Sequence, residues 1–197
     1  MIDLIKKILL LFFLISGTLF SVSAKKIPQN PNLIKGKLSN GLTYYIYPND
    51  YPKGEAIYRL FIKSGSVFET EDQKGLAHFL EHMAFNGTTH FPGNSMIRFL
   101  ESHGAKFGKD LNAHTSMNET VYKLQLPSSD RQMVDSTITI LADWAGHSLL
   151  DSLEIEKERG VILSEWLSRT GPESEIGEAF LMEIFSVRAD CFFIPFF

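Results

Sequence analysis

The chain has 197 residues and a formal net charge of −4 at neutral pH, and 44% of its residues are hydrophobic. This composition is typical of a globular protein and excludes an intrinsically disordered chain or a protein with many membrane spans. No surplus of basic residues is present, which argues against nucleic acid as a partner. The one cysteine, Cys191, excludes an internal disulfide and a cysteine-based metal site.

The first 24 residues have the pattern of a secretory signal peptide. Lys6 and Lys7 precede an apolar run over 8–20, and small residues then lead to Ala24. We expect cleavage after Ala24 and a secreted or periplasmic product. The alternative is an uncleaved membrane anchor, but the run is shorter than the roughly 20 residues that a spanning helix needs.

Three strands are predicted after a linker at 27–32. Asn40-Gly41 favours a tight hairpin that joins two strands within 33–47. The third strand covers 56–63, where alternating residues form a face that we expect to be buried. That face consists of Ala56, Tyr58, Leu60 and Ile62.

Two helices are predicted next, over 74–85 and 95–102. In the first helix apolar residues recur at helical spacing, and Asn86-Gly87 supplies a stop signal. These apolar residues are Leu76, Phe79, Leu80 and Met83. Asn94 is the expected N-cap of the second helix.

The remaining chain predicts two short strands and two longer helices. Their ranges are 110–115, 120–126, 130–147 and 153–168. Ser128 or Ser129 is the expected cap of the third helix, and Asp151 is the expected cap of the fourth. Strands and helices are grouped rather than strictly alternating, which predicts an α+β fold with a largely antiparallel sheet packed against helices in two layers.

The pentapeptide that begins at His78 places three polar side chains on one face of the first predicted helix. Positions i, i+3 and i+4 share a face, so His78, Glu81 and His82 point one way, while Phe79 and Leu80 turn towards packing. Two imidazoles one turn apart can bind one metal ion, and zinc accepts imidazole and carboxylate ligands. Glu81 is then placed to accept a proton from a water molecule that the metal activates. The alternative is that these residues line the outside of an amphipathic helix.

A third ligand is predicted in the last helix. Glu158 and Glu165 are about two helical turns apart, so both carboxylates face one side. Glu165 is the candidate third ligand, and Glu158 is a candidate to orient a ligand or to assist the water. The alternative, a solvated charged face, fits Glu154 and Glu156 better than Glu165, which precedes the apolar Trp166.

Taken together, these motifs resemble the N-terminal catalytic domain of the pitrilysin/insulinase family of zinc metallopeptidases, in which the pentapeptide has the form HxxEH. The likeness covers about 36–181. It rests on GLAHFLEHMAFNGT at 75–88, NAHTS at 112–116, ETVY at 119–122, and Glu158-Arg159 followed by Glu165. The resemblance implies one Zn²⁺ per chain, held by His78, His82 and Glu165. It also implies that Glu81 is the catalytic base and that Glu158 is an auxiliary carboxylate.

The resemblance further implies a substrate-binding strand. Its residues are Asn112, Ala113, His114 and Thr115. The edge of this strand would bind an extended peptide or an unfolded polypeptide through main-chain hydrogen bonds, so sequence specificity should be loose. The remaining histidines have no partner at ligand spacing, and we expect surface or packing roles for them. They are His90, His103 and His147, and His114 has no expected role as a metal ligand.

The chain differs from the family in its length. Family members are several times longer, and residues of their later half help to bind the substrate. We therefore expect 25–190 to be an incomplete peptidase domain, and the atypical apolar tail at 191–197 suggests truncation or a frameshift. A complementary C-terminal half or a second family subunit is the expected partner. The predicted function is a zinc-dependent metalloendopeptidase; the alternatives are a truncated, catalytically inert fragment and a non-catalytic peptide-binding subunit of the same fold.

Overall fold

The structure, a computed structural model, describes residues 28–127, 129–169, 171–172 and 176. The chain divides into two units after Asn49. The predicted signal peptide and the apolar tail at 191–197 lie outside the described residues, so both stay predictions. Within the described ranges, no helix has the length and apolar character needed to cross a bilayer.

The first unit contains a β-hairpin. Strands β1 (Ile34–Lys37) and β2 (Thr43–Ile46) pair antiparallel, with Ile34 opposite Ile46. Gly41 in the connecting turn has a φ of +93°, a backbone conformation that glycine adopts without a steric penalty. The amide N–H of Leu42 donates to the side-chain oxygen of Asn40 at 3.1 Å. The predicted hairpin is therefore confirmed.

The second unit contains a three-stranded antiparallel sheet. It consists of β3 (Ala56–Ile62), β4 (Leu111–Thr115) and β5 (Thr120–Leu126), in the order β3-β5-β4. Burial alternates along β3 and β4, as expected for strands with one face on a core. In the described part of the chain, β4 is thus an edge strand.

In its described residues the second unit also contains four α-helices. They are α1 (Leu76–Met83), α2 (Ser95–Ser102), α3 (Arg131–Gly146) and α4 (Ser152–Arg169). Helix α1 packs against β4, β5 and α4, and α3 contacts β3. Between the sheet and the helices lies the core, which includes Met96, Leu100, Leu124, Leu126, Ile140 and Trp144. The molecule is therefore an α+β protein with an antiparallel sheet, as predicted.

The helix caps differ in part from the prediction. Asn94 stands at the N-cap of α2, but its side chain makes no capping hydrogen bond. The cap of α3 is Asp130 rather than Ser128 or Ser129, because the Asp130 carboxylate accepts the N–H of Met133 at 3.0 Å. Asp151 caps α4 as predicted, since its carboxylate accepts the N–H of Leu153 at 2.9 Å.

Helix α1 buries part of the predicted apolar face and, in addition, a polar face. Leu80 was expected to pack, yet it is 47% exposed, and Leu76 is exposed as well. His78 and Glu81 are instead buried, at 3% and 7% exposure. The reason is that α1 is covered by α4 and by β4 and β5, and the polar face is the one that these elements cover. Of the four apolar residues, Met83 is buried and Phe79 is half-buried, so the predicted packing is confirmed in part, and the polar face is buried in addition.

Candidate metal centre

The start of α1 is fixed by a carboxylate. Glu69 accepts the amide N–H of Gly75 at 2.8 Å and that of Ala77 at 2.7 Å. The first N–H groups of a helix have no partner within the helix, and a negative charge there interacts favourably with the helix dipole. At the other end, the indole N–H of Trp144 donates to the carbonyl of Ala84 at 3.1 Å. Both ends of the helix that carries the pentapeptide are thus held.

Three side-chain atoms from α1 and α4 converge on one point. The Nε2 atoms of His78 and His82 lie 3.0 Å apart. The Oε2 atom of Glu165 lies 3.7 Å from the first and 3.4 Å from the second. Two imidazole nitrogens and one carboxylate oxygen within 4.8 Å of one another form the donor set that zinc accepts. The residues present therefore fit a zinc ion.

Burial favours the neutral form of the His78 imidazole, which is the form that binds a metal. It lowers the pKa of His78 from 6.5 to about 4, with smaller contributions from the nearby His82 and Arg169. At neutral pH the imidazole is therefore neutral and offers a lone pair, as metal binding requires. The two imidazole rings stand nearly perpendicular, at 88°, with their centroids 4.6 Å apart.

A second layer of contacts surrounds the three candidate ligands. Glu158 Oε1 lies 2.7 Å from His82 Nδ1, and Glu158 Oε2 accepts a hydrogen bond from Asn86 Nδ2 at 2.6 Å. Arg169 Nη2 lies 2.5 Å from Glu165 Oε1, so that Oε2 is the oxygen directed at the imidazoles. Partners of this kind fix the orientation of metal-binding side chains.

Glu81 lies beside the two imidazoles with its carboxylate held in place. The hydroxyl of Thr115, on β4, donates to Glu81 Oε2 at 2.7 Å. Burial raises the pKa of Glu81 above its ordinary value, and the Thr115 hydrogen bond opposes only part of that rise. A carboxylate with a raised pKa is a better proton acceptor than an exposed one.

The predicted substrate strand is the edge strand of the sheet. Alternate side chains of β4 face the interior, namely Leu111, Ala113 and Thr115. Asn112 and His114 alternate with them. The amide N–H of Ala113 donates to the Oδ1 atom of Asn112 at 2.9 Å, and Asn112 Nδ2 donates to the carbonyl of Gly108 at 3.1 Å. Substrate binding by these residues stays a prediction.

The structure brings together His78, Glu81, His82, Glu158 and Glu165, the residues that the motifs singled out. Sequence reasoning missed four residues that hold this site: Glu69, Asn86, Arg169 and the side chain of Thr115. The Asn86-Gly87 pair did give a signal, but we interpreted it as a helix stop. His90, for which a surface or packing role was expected, has a side chain that is 60% exposed, and its Nδ1 atom lies 2.8 Å from the buried Asp143.

Comparison with known proteins identifies the class to which this fold and site belong. The sequence pattern of the family described as insulinase, peptidase family M16, matches residues 44–183. The match covers well over half of the chain, so the chain belongs to this family. The resemblance noted from the motifs is thus confirmed.

The relatives include proteins named zinc proteases. Over 143 residues the chain is 45% identical to the probable zinc protease PqqL of Escherichia coli. The aligned region covers 73% of this chain and 15% of that protein. Over 170 residues it is 41% identical to the probable zinc protease PqqL of Haemophilus influenzae, covering 86% of this chain and 18% of the relative. The chain therefore spans less than a fifth of the length of these relatives.

A solved structure has the same fold. The crystal structure of the first half of the periplasmic protease PqqL from Escherichia coli superposes with a TM-score of 0.74 at 42% sequence identity. The similarity covers 79% of this chain and 34% of that structure. Both PqqL relatives are named zinc proteases, and the solved structure is described as that of a periplasmic protease.

Proposed function

We propose that this chain is the zinc-binding part of a metalloendopeptidase that hydrolyses peptide bonds in extended polypeptides. The observation that carries the proposal is the convergence of His78 Nε2, His82 Nε2 and Glu165 Oε2 beside the buried Glu81 carboxylate. The names of the relatives support the same class of reaction. The proposed location is the periplasm, on the strength of the solved relative that is described as periplasmic.

In this proposal His78, His82 and Glu165 hold one zinc ion. When bound, zinc lowers the pKa of water to about 7 and polarises the carbonyl of the peptide bond to be cleaved. Glu81 accepts a proton from the attacking water, whose oxygen forms a bond to the carbonyl carbon. Glu81 then passes that proton to the amine that leaves when the C–N bond breaks. Thr115 holds the Glu81 carboxylate in one orientation throughout.

The proposed substrate is an extended peptide that pairs with the edge of β4. Main-chain hydrogen bonds to a strand edge recognise any extended backbone and leave sequence preference to neighbouring pockets. Thr115 belongs to β4 and also contacts Glu81, so the strand that would bind the peptide lies beside the proton acceptor. Because the chain spans only part of its relatives, we further propose that a complementary C-terminal half or a second family subunit helps to enclose the substrate.

The test is to measure bound zinc and the cleavage of an unstructured fluorogenic peptide for the chain and for Glu81→Gln. Glutamine keeps the shape of glutamate and lacks its basicity. We expect the variant to keep its zinc and to lose activity by a factor of about 10² to 10⁴. The matched control is Glu156→Gln, because Glu156 is exposed on α4 and pairs with Arg159 at 3.1 Å. This control should keep both zinc and activity.

Two outcomes would contradict the proposal in different ways. Folded protein that takes up no zinc would remove the metal centre altogether. Bound zinc without turnover in the unsubstituted chain would instead favour a catalytically inert fragment or a non-catalytic peptide-binding subunit.

A further inference from the structure

Asn86 joins the end of α1 to the middle of α4. It lies three residues after Met83, the last residue of α1, and its Nδ2 atom donates to Glu158 Oε2 at 2.6 Å. The other oxygen of the same carboxylate lies 2.7 Å from His82 Nδ1. The Glu158 carboxylate thus accepts one hydrogen bond from an amide and one from an imidazole. The hydrogen-bonded series Asn86–Glu158–His82 ends at a candidate metal ligand.

The hydrogen bonds among these three side chains determine which nitrogen of His82 is protonated. An ionised carboxylate only accepts hydrogen bonds, so the short contact to Glu158 places the proton of a neutral His82 on Nδ1. The lone pair then lies on Nε2, the atom that faces His78 and Glu165. With one oxygen bound to the amide of Asn86, the Glu158 carboxylate cannot rotate without breaking a hydrogen bond, and its other oxygen stays on His82.

The backbone of Asn86 is itself fixed, so the amide is presented in one position. Its N–H donates to the carbonyl of Met83 at 3.1 Å, and the carbonyl of the next residue, Gly87, accepts from Leu149 at 3.1 Å. Gly87 has a φ of +122°, and a Cβ atom there would lie 2.8 Å from the backbone nitrogen of Gly93. Since Leu149 lies just before α4, the segment after α1 is tied to the approach to the helix that carries Glu158.

We infer that Asn86 is a positioning residue for the metal centre: its amide orients Glu158, which holds His82 in the tautomer that binds zinc. The effect of Asn86 on catalysis rests on the proposed function. The effect of Asn86 on the tautomer of His82 rests on the structure alone. Asn86 contacts neither zinc nor substrate in this account and acts through Glu158.

The experiment compares Asn86→Leu and Asn86→Asp with the unsubstituted chain. Leucine has a similar size and no donor, and aspartate has the same shape and repels the carboxylate. The controls are Asn94→Leu and Asn94→Asp, because Asn94 is exposed at the start of α2 and its side chain makes no capping bond. Two quantities are measured: the tautomer of His82, from ¹⁵N NMR of the metal-free protein, and the zinc dissociation constant, from competition with a coloured chelator.

We expect the Nδ1–H tautomer of His82 to lose population in both Asn86 variants. The zinc dissociation constant should rise about tenfold in Asn86→Leu and further in Asn86→Asp, as for other residues that orient metal ligands. The Asn94 variants should match the unsubstituted chain within about twofold, the experimental scatter of such constants. Unchanged tautomer and zinc affinity in the folded Asn86 variants would overturn the inference.

A double substitution separates positioning from a general structural effect. In a Glu158→Ala background, Asn86→Leu should no longer change zinc affinity, because no carboxylate is left to orient. A full tenfold loss in that background would overturn the inference. If the unsubstituted chain fails to bind zinc, the proposed function fails, while the tautomer measurement in metal-free protein still decides the role of Asn86.

Discussion

The hydroxyl of Thr115 donates to the carboxylate of Glu81, and this contact should tune the reaction. In Thr115→Val the shape is kept but the donor is lost, so the pKa of Glu81 should rise further above its ordinary value. A base must be ionised to act, and we therefore expect the acid limb of kcat/KM to move to higher pH, with a loss of about 1 kcal/mol in unfolding free energy. The measurements are a pH–rate profile and chemical denaturation.

The matched control is Thr139→Val. Thr139 is half-buried on α3, and its hydroxyl donates to the carbonyl of Asp135 at 3.0 Å. This substitution should leave the pH–rate profile in place. An acid limb that stays fixed in Thr115→Val would show that the hydroxyl does not tune Glu81.

At the residue scale, the sequence predicted the convergence of side chains from two helices and missed what holds them. His78, Glu81 and His82 followed from helical spacing, and Glu165 followed from its distance to Glu158 along one helix. The Thr115–Glu81 contact joins residues 34 positions apart, and no local spacing predicts such a pair. The same holds for Asn86 and Glu158, which are 72 positions apart.

At the scale of elements, the start of α1 depends on Glu69. The substitution Glu69→Ala removes the acceptor of two helix N–H groups and a negative charge near the positive end of the helix. We expect a loss of about 2 kcal/mol in unfolding free energy and weaker zinc binding, since α1 carries two of the three candidate ligands. Glu69→Gln should lose less unfolding free energy, because its amide oxygen can still accept a hydrogen bond from a helix N–H group. Denaturation and chelator competition measure both effects.

Glu101→Gln is the control for the Glu69 variants. Glu101 is exposed on α2, and its replacement should change neither stability nor zinc affinity measurably. Equal stability of Glu69→Ala and Glu101→Gln would argue against a role of Glu69 in holding the helix.

Asp143 on α3 accepts hydrogen bonds from the segment that follows α1 and so fixes its position. Its buried carboxylate accepts from the Thr88 hydroxyl at 2.6 Å and from the His90 N–H at 3.0 Å. Burial opposes ionisation, but these hydrogen bonds hold the pKa of Asp143 below its ordinary 3.8. The stabilisation is therefore present above about pH 4 and is lost as the pH falls through the lowered pKa.

We expect Asp143→Asn to lose about 2 kcal/mol in unfolding free energy at neutral pH. The difference from the unsubstituted chain should shrink as the pH falls below the ordinary pKa of an aspartate. Denaturation at several pH values measures it. Asp135→Asn, at an exposed ion pair with Arg131, should show little difference at any pH. A difference for Asp143→Asn that is independent of pH would contradict the role of its charge.

The elements themselves were predicted with their approximate bounds, because hydrophobic periodicity, turn residues and stop signals are local. The cap of α3 and the burial of the polar face of α1 were not. The choice between Ser129 and Asp130 as a cap depends on one residue of register, and the polar face of α1 is buried because α4, β4 and β5 cover it. The Asp130 cap is a local contact with Met133, whereas the burial of the polar face is decided by tertiary contacts that periodicity does not report.

At the scale of the whole molecule, zinc would link α1 to α4, which are far apart in the chain. A ligand that binds only the folded state at a hundred times its dissociation constant stabilises by about 2.7 kcal/mol, which corresponds to a rise in Tm of roughly 5 to 10 °C. We expect this rise for the unsubstituted chain and a much smaller one for Glu165→Gln. Thermal unfolding with and without zinc measures it, with Glu156→Gln as the control. An equal rise in Glu165→Gln would place the bound zinc elsewhere.

The edge of β4 already satisfies part of its own hydrogen bonding. The Asn112 side chain occupies the N–H of Ala113, so an incoming peptide carbonyl would have to displace that oxygen. Docking there is an exchange of acceptors, and its net gain is smaller than that of a newly formed hydrogen bond. Under the proposed function, so small a net gain would favour rapid departure of the two cleaved fragments, and we expect weak product inhibition.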